Sequence, residues 1–196
     1  MDICGILMAA GRGRRFDPAG RHNKLLQVLP SGEPVVAASA RKLLAAVPRV
    51  VAVVAPADGG VAALLAGLGC EVTVCADADS GMAASLVHAI RVSLHAPAQA
   101  PGAWLVALGD MPHVAPATLA ALRDALAAGA PIAAPVHAGR RGNPAGFGRV
   151  HLDALLALEG DQGARRLLQT CPVTELAVHD PGIFLDIDTP ADLSPV

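Results

Sequence analysis

The sequence predicts one α/β domain, a three-layer αβα sandwich around a mostly parallel, Rossmann-like sheet. Short apolar runs of strand length alternate with longer segments in which apolar residues recur every three to four positions. Such alternation is typical of βαβ units, whose parallel strands are buried on both faces by helices. The chain has 196 residues and no long linker, which favours a single domain.

The predicted elements follow one another in a regular order. Strands are expected over residues 3–8, 49–55 ("RVVAVVA"), 71–75 ("EVTVC") and 104–108 ("WLVAL"). Helices are expected over residues 33–47, 81–94 and 116–128, the last with Pro116 in its first turn. After Pro131 a stretch rich in Gly and Pro has no clear period. Further helices are expected near 151–158 and 162–169, and further strands over 174–179 and 183–187.

Composition excludes several functional classes. A net charge of −2 provides no basic surface, so we expect no nucleic-acid partner. We see no signal-type segment and no apolar stretch near the ~20 residues that span a bilayer, so we expect a cytoplasmic protein without membrane association. The four cysteines lack metal or redox spacing, and we expect small buried side chains.

The loop "LMAAGRGRRF" after the first strand is rich in Gly and Arg. A dinucleotide fingerprint would need Gly where Phe16 stands, and a Walker loop would need a Gly-Lys-Ser/Thr triplet. Two interpretations remain, a solvated turn or a loop that binds the phosphates of a nucleoside triphosphate. In the second, Gly11 and Gly13 free backbone N–H groups, and Arg15 and Lys24 supply positive charge.

Two acidic motifs follow apolar runs. Asp110 ends the predicted strand 104–108, at the sheet edge where ligands of α/β folds bind, and a carboxylate there suits Mg²⁺. In "DIDTP", a strand would place Asp186 and Asp188 on one face. The alternatives are local: Asp110 in a turn or helix cap, and Asp188 or Thr189 capping a last short helix.

Five motifs occur in an order typical of one family: "AAGRGRRF" followed by "KLL", then "SGMAASL", "LGDMP", "GDQGAR" and "DIDTPADL". In these motifs the chain resembles the MobA-like NTP transferases, nucleotidyltransferases with a GT-A-like, nucleotide-diphospho-sugar-transferase-like fold. Within the family it is most similar to the molybdenum cofactor cytidylyltransferase group. The resemblance implies Mg²⁺-dependent transfer of CMP from CTP to the phosphate of a molybdopterin-type acceptor. It also implies a molybdoenzyme that receives the product.

The residues and the resemblance together predict the site. The nucleotide-binding part is expected within residues 1–112, with the residues Leu7, Ala9, Ala10, Gly11, Gly13, Arg15, Lys24, Ser80, Gly81, Ser85 and Asp110. Of these, Arg15, Lys24 and Asp110 are the expected catalytic residues. Asp110 and Asp188 are the expected metal ligands. The acceptor-binding part is expected within 113–196, with the residues Asn143, Pro144, Gly146 and Arg165.

Several alternatives stay open at this point. The methyl group of Ala10 favours a pyrimidine base, yet a GTP user or another phosphorylated acceptor fits the same motifs. Ser80 and Ser85 would bind base or ribose, or simply belong to a capped helix start. Relatives often carry Gly-His-Pro where this chain has Gly142-Asn143-Pro144, which leaves the acceptor undefined. The remaining class is a chaperone that binds a nucleotide or cofactor without catalysis.

Overall fold

A central sheet organises the structure, a computed structural model that describes residues 1–11, 13, 15–17, 19, 21–95, 100–161 and 163–193. The strands in this part of the chain are β1 (Ile3–Ala9), β2 (Arg49–Val54), β3 (Glu71–Val74), β4 (Ala103–Leu108), β5 (Ile132–His137), β6 (Arg140–Arg141), β7 (Ala145–Gly148) and β8 (Thr174–Ala177). Their order is β3-β2-β1-β4-β7-β5-β6, with β8 beside β5. The pairs β1–β2, β1–β4, β2–β3 and β5–β8 are parallel, whereas β7 is antiparallel to β4 and β5.

Helices cover both faces of the sheet. They are α1 (Val35–Ala46), α2 (Val61–Gly67), α3 (Met82–Ser93), α4 (Pro116–Ala127), α5 (Leu152–Leu156) and α6 (Arg165–Thr170). Successive side chains of a strand point to opposite faces. Leu7 of β1 accordingly belongs to a buried cluster with residues of α1, α2 and α4, while Ile6 belongs to one with residues of α3, α5 and α6. The predicted three-layer αβα sandwich is confirmed.

The strand order positions the binding edge. From β1 the chain builds outward through β2 and β3, and then returns to the other side of β1 with β4. In open α/β sheets the crevice for ligands opens outside the carboxyl ends of the strands at such a reversal. Residues after β1 and after β4 therefore meet at one edge. Gly109, directly after β4, donates its N–H to the carbonyl of Met8 at 2.9 Å.

The structure differs from the sequence expectations mainly after Pro131. Strands β5, β6 and β7 lie in the Gly- and Pro-rich stretch that shows no period. Gly146 of β7 explains part of this, because a Cβ there would lie 2.7 Å from Leu126 Cδ1 of α4. Because α4 lies so close, this strand position requires glycine, and the β-branched or aromatic residues that predict a strand are absent there. Helix α2, bounded by glycines, was also not predicted.

The predicted strand over 183–187 is wrong. Residues Pro181–Phe184 form a 3-10 turn, and residues 185–188 run on without strand pairing in the described sheet. The side chain of Asp180 starts this turn by accepting the N–H of Gly182 at 2.9 Å. None of the helices in the described part of the chain is long and apolar enough to cross a membrane.

A buried side-chain hydrogen bond joins α3 to β4. Trp104 Nε1 donates to Ser93 Oγ at 2.8 Å, and Ser93 Oγ donates to the carbonyl of Ile90 at 2.6 Å. Ser93→Ala would leave the indole N–H buried without its acceptor. We expect the free energy of unfolding to fall by about 1–3 kcal/mol in urea denaturation. In a Trp104→Phe background, which lacks the donor, the same change should cost less; equal costs in both backgrounds would contradict the pairing.

Candidate active site

A cleft of about 480 Å³ opens at the carboxyl ends of β1 and β4, beside the start of α3. Eight residues predicted to bind nucleotide line it: Ala10, Gly11, Gly13, Arg15, Lys24, Gly81, Ser85 and Asp110. The structure thus brings together segments that lie up to about a hundred positions apart in the sequence. The cleft is built by the loop after β1, the turn after β4 and the first turn of α3.

Lys24 is held in the cleft by its neighbours on both sides. It begins a 3-10 turn, Lys24–Leu26, in which the side-chain oxygen of Asn23 accepts the N–H of Leu25 at 3.0 Å. Leu25 is buried in the core, so the backbone of Lys24 is fixed. Gly13, at φ +58°, packs over the lysine stem, since a Cβ there would lie 3.1 Å from Lys24 Cγ. Only 7% of Lys24 is exposed.

The Lys24 ammonium lies between two carboxylates. Its Nζ donates to Asp110 Oδ2 at 2.6 Å and to Asp188 Oδ1 at 3.3 Å. The exposed guanidinium of Arg15 donates to the other oxygen of Asp188. The two predicted metal ligands and the two predicted phosphate-binding cations therefore form one cluster of ion pairs, which Asp186 adjoins through Asp188.

One backbone hydrogen bond brings the distant acid into this cluster. Ile187 donates its N–H to the carbonyl of Asp110 at 2.8 Å. Asp192, not Asp188, closes the turn that follows, because its carboxylate accepts the N–H of Asp188 at 3.0 Å and the N–H of Thr189 at 2.6 Å. The carboxylate of Asp188 is left to face Lys24 and Arg15. Asp192, and not Asp188, thus accepts the free N–H groups at the start of this turn.

The charges of the cluster shift the pKa values of Lys24 and of the adjoining Asp186. Burial by itself would lower the pKa of Lys24, but the charges and hydrogen bonds of Asp110 and Asp188 outweigh it, and the pKa lies above its usual range. Burial raises the pKa of Asp186, and the negative charges of Asp188 and Asp110 raise it further. Lys24 consequently remains a cation at neutral pH, as a phosphate-binding lysine must.

The long loop before Lys24 is organised by Asp17. Its carboxylate accepts the N–H groups of Ala19, Arg21 and His22, each at 2.9 Å, and lies 3.0 Å from His22 Nδ1. These hydrogen bonds lower the pKa of Asp17 although partial desolvation opposes them. Asp17 was not among the residues predicted to have a role. An Asp followed within a few residues by Pro and Gly was the available signal, since such Asp side chains bond to their own loop.

Three predicted nucleotide-binding residues lie outside the cleft. Leu7 is fully buried in the core. Ala9 lines a neighbouring cleft of about 600 Å³ with Asp17, His22 and Asp58. Ser80 is exposed at the end of the 3-10 turn Ala78–Ser80. It does not cap α3, whose capping residue is Gly81 and whose Ala83 N–H donates to the carbonyl of Gly160 at 3.1 Å.

A second cleft of about 570 Å³ adjoins the first, and the two share Met8, Met82, Leu108 and Asp161. Of the residues predicted to bind the acceptor, Asn143 and Arg165 line it. Pro144 lines a small cavity behind it, and Gly146 lies beneath α4. The floor of the cleft is apolar and includes Leu86, Val106 and Phe147.

The arginines near the second cleft have different surroundings. Arg141 lines the cleft but donates to the carbonyl of Leu168 and to Glu175, both at 2.6 Å. Arg140 stacks on Phe184, with its Cζ 4.6 Å from the ring centroid. Arg165 has no ion pair with any residue that the structure describes. It is therefore the guanidinium best placed to meet an anionic ligand in this cleft. Asp161, in the wall common to both clefts, was not singled out from the sequence.

Comparison with known proteins agrees with this geometry. A model of the MobA-like NTP transferase domain matches residues 5–177. The chain belongs to the MobA-like NTP transferase family. It therefore belongs to the nucleotidyltransferases, in agreement with the resemblance in its motifs. A comparison with curated proteins gives no significant match.

Solved structures extend the MobA-like similarity to nearly the whole chain. Rv0371c from Mycobacterium tuberculosis H37Rv is 32% identical over 98% of this chain and 96% of its own, with a TM-score of 0.82. A structure of Rv0371c in complex with manganese is 30% identical with the same coverage and a TM-score of 0.77. Molybdopterin-guanine dinucleotide biosynthesis protein A from Archaeoglobus fulgidus is 22% identical over 97% and 94% of the two chains, with a TM-score of 0.67, and shares the fold.

The donor set of the MobA-like chain fits a hard divalent cation. Among the described residues no group of three or more His, Cys, Asp or Glu side chains forms a metal site. Asp110 and Asp188, however, already share one cation, the ammonium of Lys24. Mg²⁺ is typically bound by one or two carboxylates, with phosphate oxygens and water completing its shell. Two carboxylates beside a phosphate-type loop match that requirement.

Asp180 fastens the segment that carries Asp188 to the loop after Asp110. It is 5% exposed and accepts the N–H of Ala115 at 2.8 Å, the hydroxyl of Thr118 at 2.6 Å and the N–H of Gly182 at 2.9 Å. Its two oxygens thus serve three donors from both segments. No sequence pattern predicts this role, because it depends on a contact between distant segments.

Asp180→Asn should destabilise the MobA-like chain. One carboxylate oxygen becomes an NH₂ group that faces N–H or O–H donors, so at least one buried donor loses its acceptor. We expect the free energy of unfolding to fall by about 1–3 kcal/mol in urea denaturation. As a control, Asp124→Asn, at an exposed ion pair with Arg123, should change it by less than about 0.5 kcal/mol. Equal effects of the two changes would contradict the tethering role.

Proposed function

We propose that this chain is a Mg²⁺-dependent cytidylyltransferase that moves CMP from CTP to the phosphate of a molybdopterin-type acceptor and releases pyrophosphate. The observation that carries the proposal is the shared contact of Lys24 with Asp110 and Asp188, beside Gly13 and Arg15. A loop that binds phosphate and a pair of acids that binds a cation are the parts that nucleotidyl transfer needs, because the protein mainly positions charged groups.

In the proposed reaction, an oxygen of the acceptor phosphate attacks the α-phosphorus of CTP in line with the leaving group. A new P–O bond forms as the bond between the α-phosphorus and the bridging oxygen breaks, and that oxygen leaves with pyrophosphate. Lys24, Arg15 and the N–H groups near Gly11 and Gly13 hold the triphosphate and its developing charge. Mg²⁺ on Asp110 and Asp188 neutralises phosphate charge when bound; the manganese complex of Rv0371c supports a divalent cation here.

The two clefts support a division of labour along the chain. Residues 1–112 provide the polar groups of the first cleft except Asp161, and residues 113–196 provide the polar groups of the second. The apolar floor and Arg165, which has no ion pair within the described part of the chain, favour an acceptor with a largely uncharged body and an anionic group. A phosphorylated pterin has this chemistry. The product would then pass to a molybdoenzyme in the cytoplasm.

The choice of CTP rests on the nucleotide cleft. Ala10 lines the cleft. We infer that its methyl group takes space that a purine base would need. Ser85, one turn into α3 and only 3% exposed, lines the same cleft with a hydroxyl that can donate or accept. A small pyrimidine with mixed donors and acceptors suits these walls. GTP, or another phosphorylated acceptor, is the alternative within the same reaction class.

A pyrophosphate-release assay distinguishes these proposals. Each of the four nucleoside triphosphates is supplied with Mg²⁺ and with molybdopterin, and pyrophosphate is measured by a coupled enzyme. We expect the highest kcat/KM with CTP, and no release without acceptor. A preference for GTP would overturn the choice of base, and release only with other phosphorylated acceptors would overturn the acceptor. Saturable CTP binding without release under any condition would indicate a binding protein instead of an enzyme.

Asp110→Asn tests the role of the acidic pair. Asn keeps the shape of the side chain, but it removes a charged oxygen from the proposed metal site and from Lys24. We expect kcat to fall at least about 100-fold, because charge stabilisation of the transition state is lost. Circular dichroism should show an unchanged fold. Asp153 is exposed on α5, and Asp153→Asn, which makes the same change in charge, should retain activity. Normal turnover of Asp110→Asn would remove the metal assignment.

A further inference from the structure

Two cations, Lys24 and Arg15, are paired with two acids, Asp110 and Asp188, at the first cleft. Lys24 Nζ is 2.6 Å from Asp110 Oδ2 and 3.3 Å from Asp188 Oδ1, and Arg15 donates to the second oxygen of Asp188. Under the proposed function, the cations should bind phosphate and the acids should bind a divalent metal. The two acids therefore occupy the place of phosphate beside the cations, and the two cations occupy the place of metal beside the acids.

From this arrangement we propose that the metal and the triphosphate bind by exchanging ion-pair partners, so that each one strengthens the binding of the other. This inference rests on the proposed function, since it takes Asp110 and Asp188 as metal ligands and Lys24 and Arg15 as phosphate ligands. Upon loading, the acids transfer from Lys24 and Arg15 to the metal, and the two cations transfer to the phosphates. No covalent bond changes in this step.

Charge balance makes the half-loaded states unfavourable. A metal ion alone would place a dication beside Lys24 and Arg15 after their counter-charges have been taken. A nucleotide alone would place a polyanion beside Asp110 and Asp188 after their cations have been taken. Both situations leave like charges close together in a partly buried cleft, which is costly. With both ligands present, each of these four side chains has a partner of opposite sign.

The packing around Lys24 limits it to this exchange. Leu25 anchors the backbone in the core, and Gly13 lies against the stem. With the backbone fixed and the stem packed against Gly13, Lys24 is only 7% exposed, and the counter-charge that its ammonium needs is also inside the cleft. Arg15 differs, since its side chain is 80% exposed and it pairs only with Asp188 among the described residues. Lys24 should therefore carry most of the coupling, and Arg15 a smaller part.

The first test measures metal binding without nucleotide. Mn²⁺ serves as the probe, and free Mn²⁺ is followed by electron paramagnetic resonance on the full chain. Lys24→Met removes the cation that both acids share and leaves Asp188 paired only with Arg15 among the described residues. We expect it to bind Mn²⁺ about 5- to 150-fold more tightly than the unmodified protein, the usual range of such coupling. Arg15→Met, at an exposed position, should shift the affinity in the same direction by less. Arg91→Met on the exposed side of α3 makes the same charge change and should have no comparable effect.

Unchanged or weaker Mn²⁺ binding by both Lys24→Met and Arg15→Met would overturn the exchange. Arg15→Met also covers the case in which Lys24→Met does not fold, because an exposed side chain can be removed without loss of core packing. Its Mn²⁺ affinity alone then decides: tighter binding supports the exchange, and unchanged binding contradicts it.

The reciprocal test measures nucleotide binding with and without metal. Asp188→Asn releases Lys24 and Arg15 from one acid, so CTP in EDTA should bind it several-fold more tightly than the unmodified protein, by calorimetry. With Mg²⁺ the same variant should bind CTP more weakly, because a metal ligand is missing. This reversal of sign is not expected from a purely structural role of Asp188. Asp153→Asn controls for the change in net charge, and weaker CTP binding by Asp188→Asn in both conditions would overturn the exchange.

The outcomes separate this inference from the proposed function. If the unmodified protein binds neither Mn²⁺ nor CTP and releases no pyrophosphate, both fail together. If it binds both ligands and turns over, while Lys24→Met and Asp188→Asn show no gain of affinity for the single ligands, only the exchange fails.

Discussion

The hydrogen bond from the N–H of Ile187 to the carbonyl of Asp110 is the contact on which the site depends. This bond places Asp188, which lies in a segment without strand pairing in the described sheet, beside Asp110. The segment is held at its other end as well, where Asp180 accepts donors from the loop before α4. A stretch with little regular structure thus gains a defined position from buried backbone and side-chain bonds, whose net stabilisation is about 1 kcal/mol each.

The same cluster explains how strong charges coexist at the mouth of a largely apolar core. Isolated, a nine-tenths buried lysine would be expensive to desolvate. Two carboxylates compensate this cost, and Arg15 balances the remaining negative charge from the solvent side. The ion pairs thereby hold all four side chains in place at the edge of the core.

From the sequence we predicted the sandwich, the strands β1 to β4 and eight of the residues that line the first cleft, because apolar periodicity and short motifs are local signals. We predicted less where distant segments decide the outcome. Strands β5 and β7 are strands because neighbours pair with them, in spite of Gly146 and the prolines around them. Asp180 and Asp161 acquire their positions only in the folded chain. Leu7 shows the opposite case, a motif residue whose side chain serves the core.

The antiparallel direction of β7 determines at which edge of the sheet the segment before it lies. Because β7 runs antiparallel to β4, pairing Val106 with Ala145 and Ala103 with Gly148, its beginning lies at the edge where β4 ends. The hairpin that leads into β7 consequently reaches the same sheet edge as the turn after β4, on a backbone segment separate from both acids. Asn143 in this segment donates its N–H to the carbonyl of Ile183 at 3.0 Å, so a change in the hairpin also acts on the segment that carries Asp188.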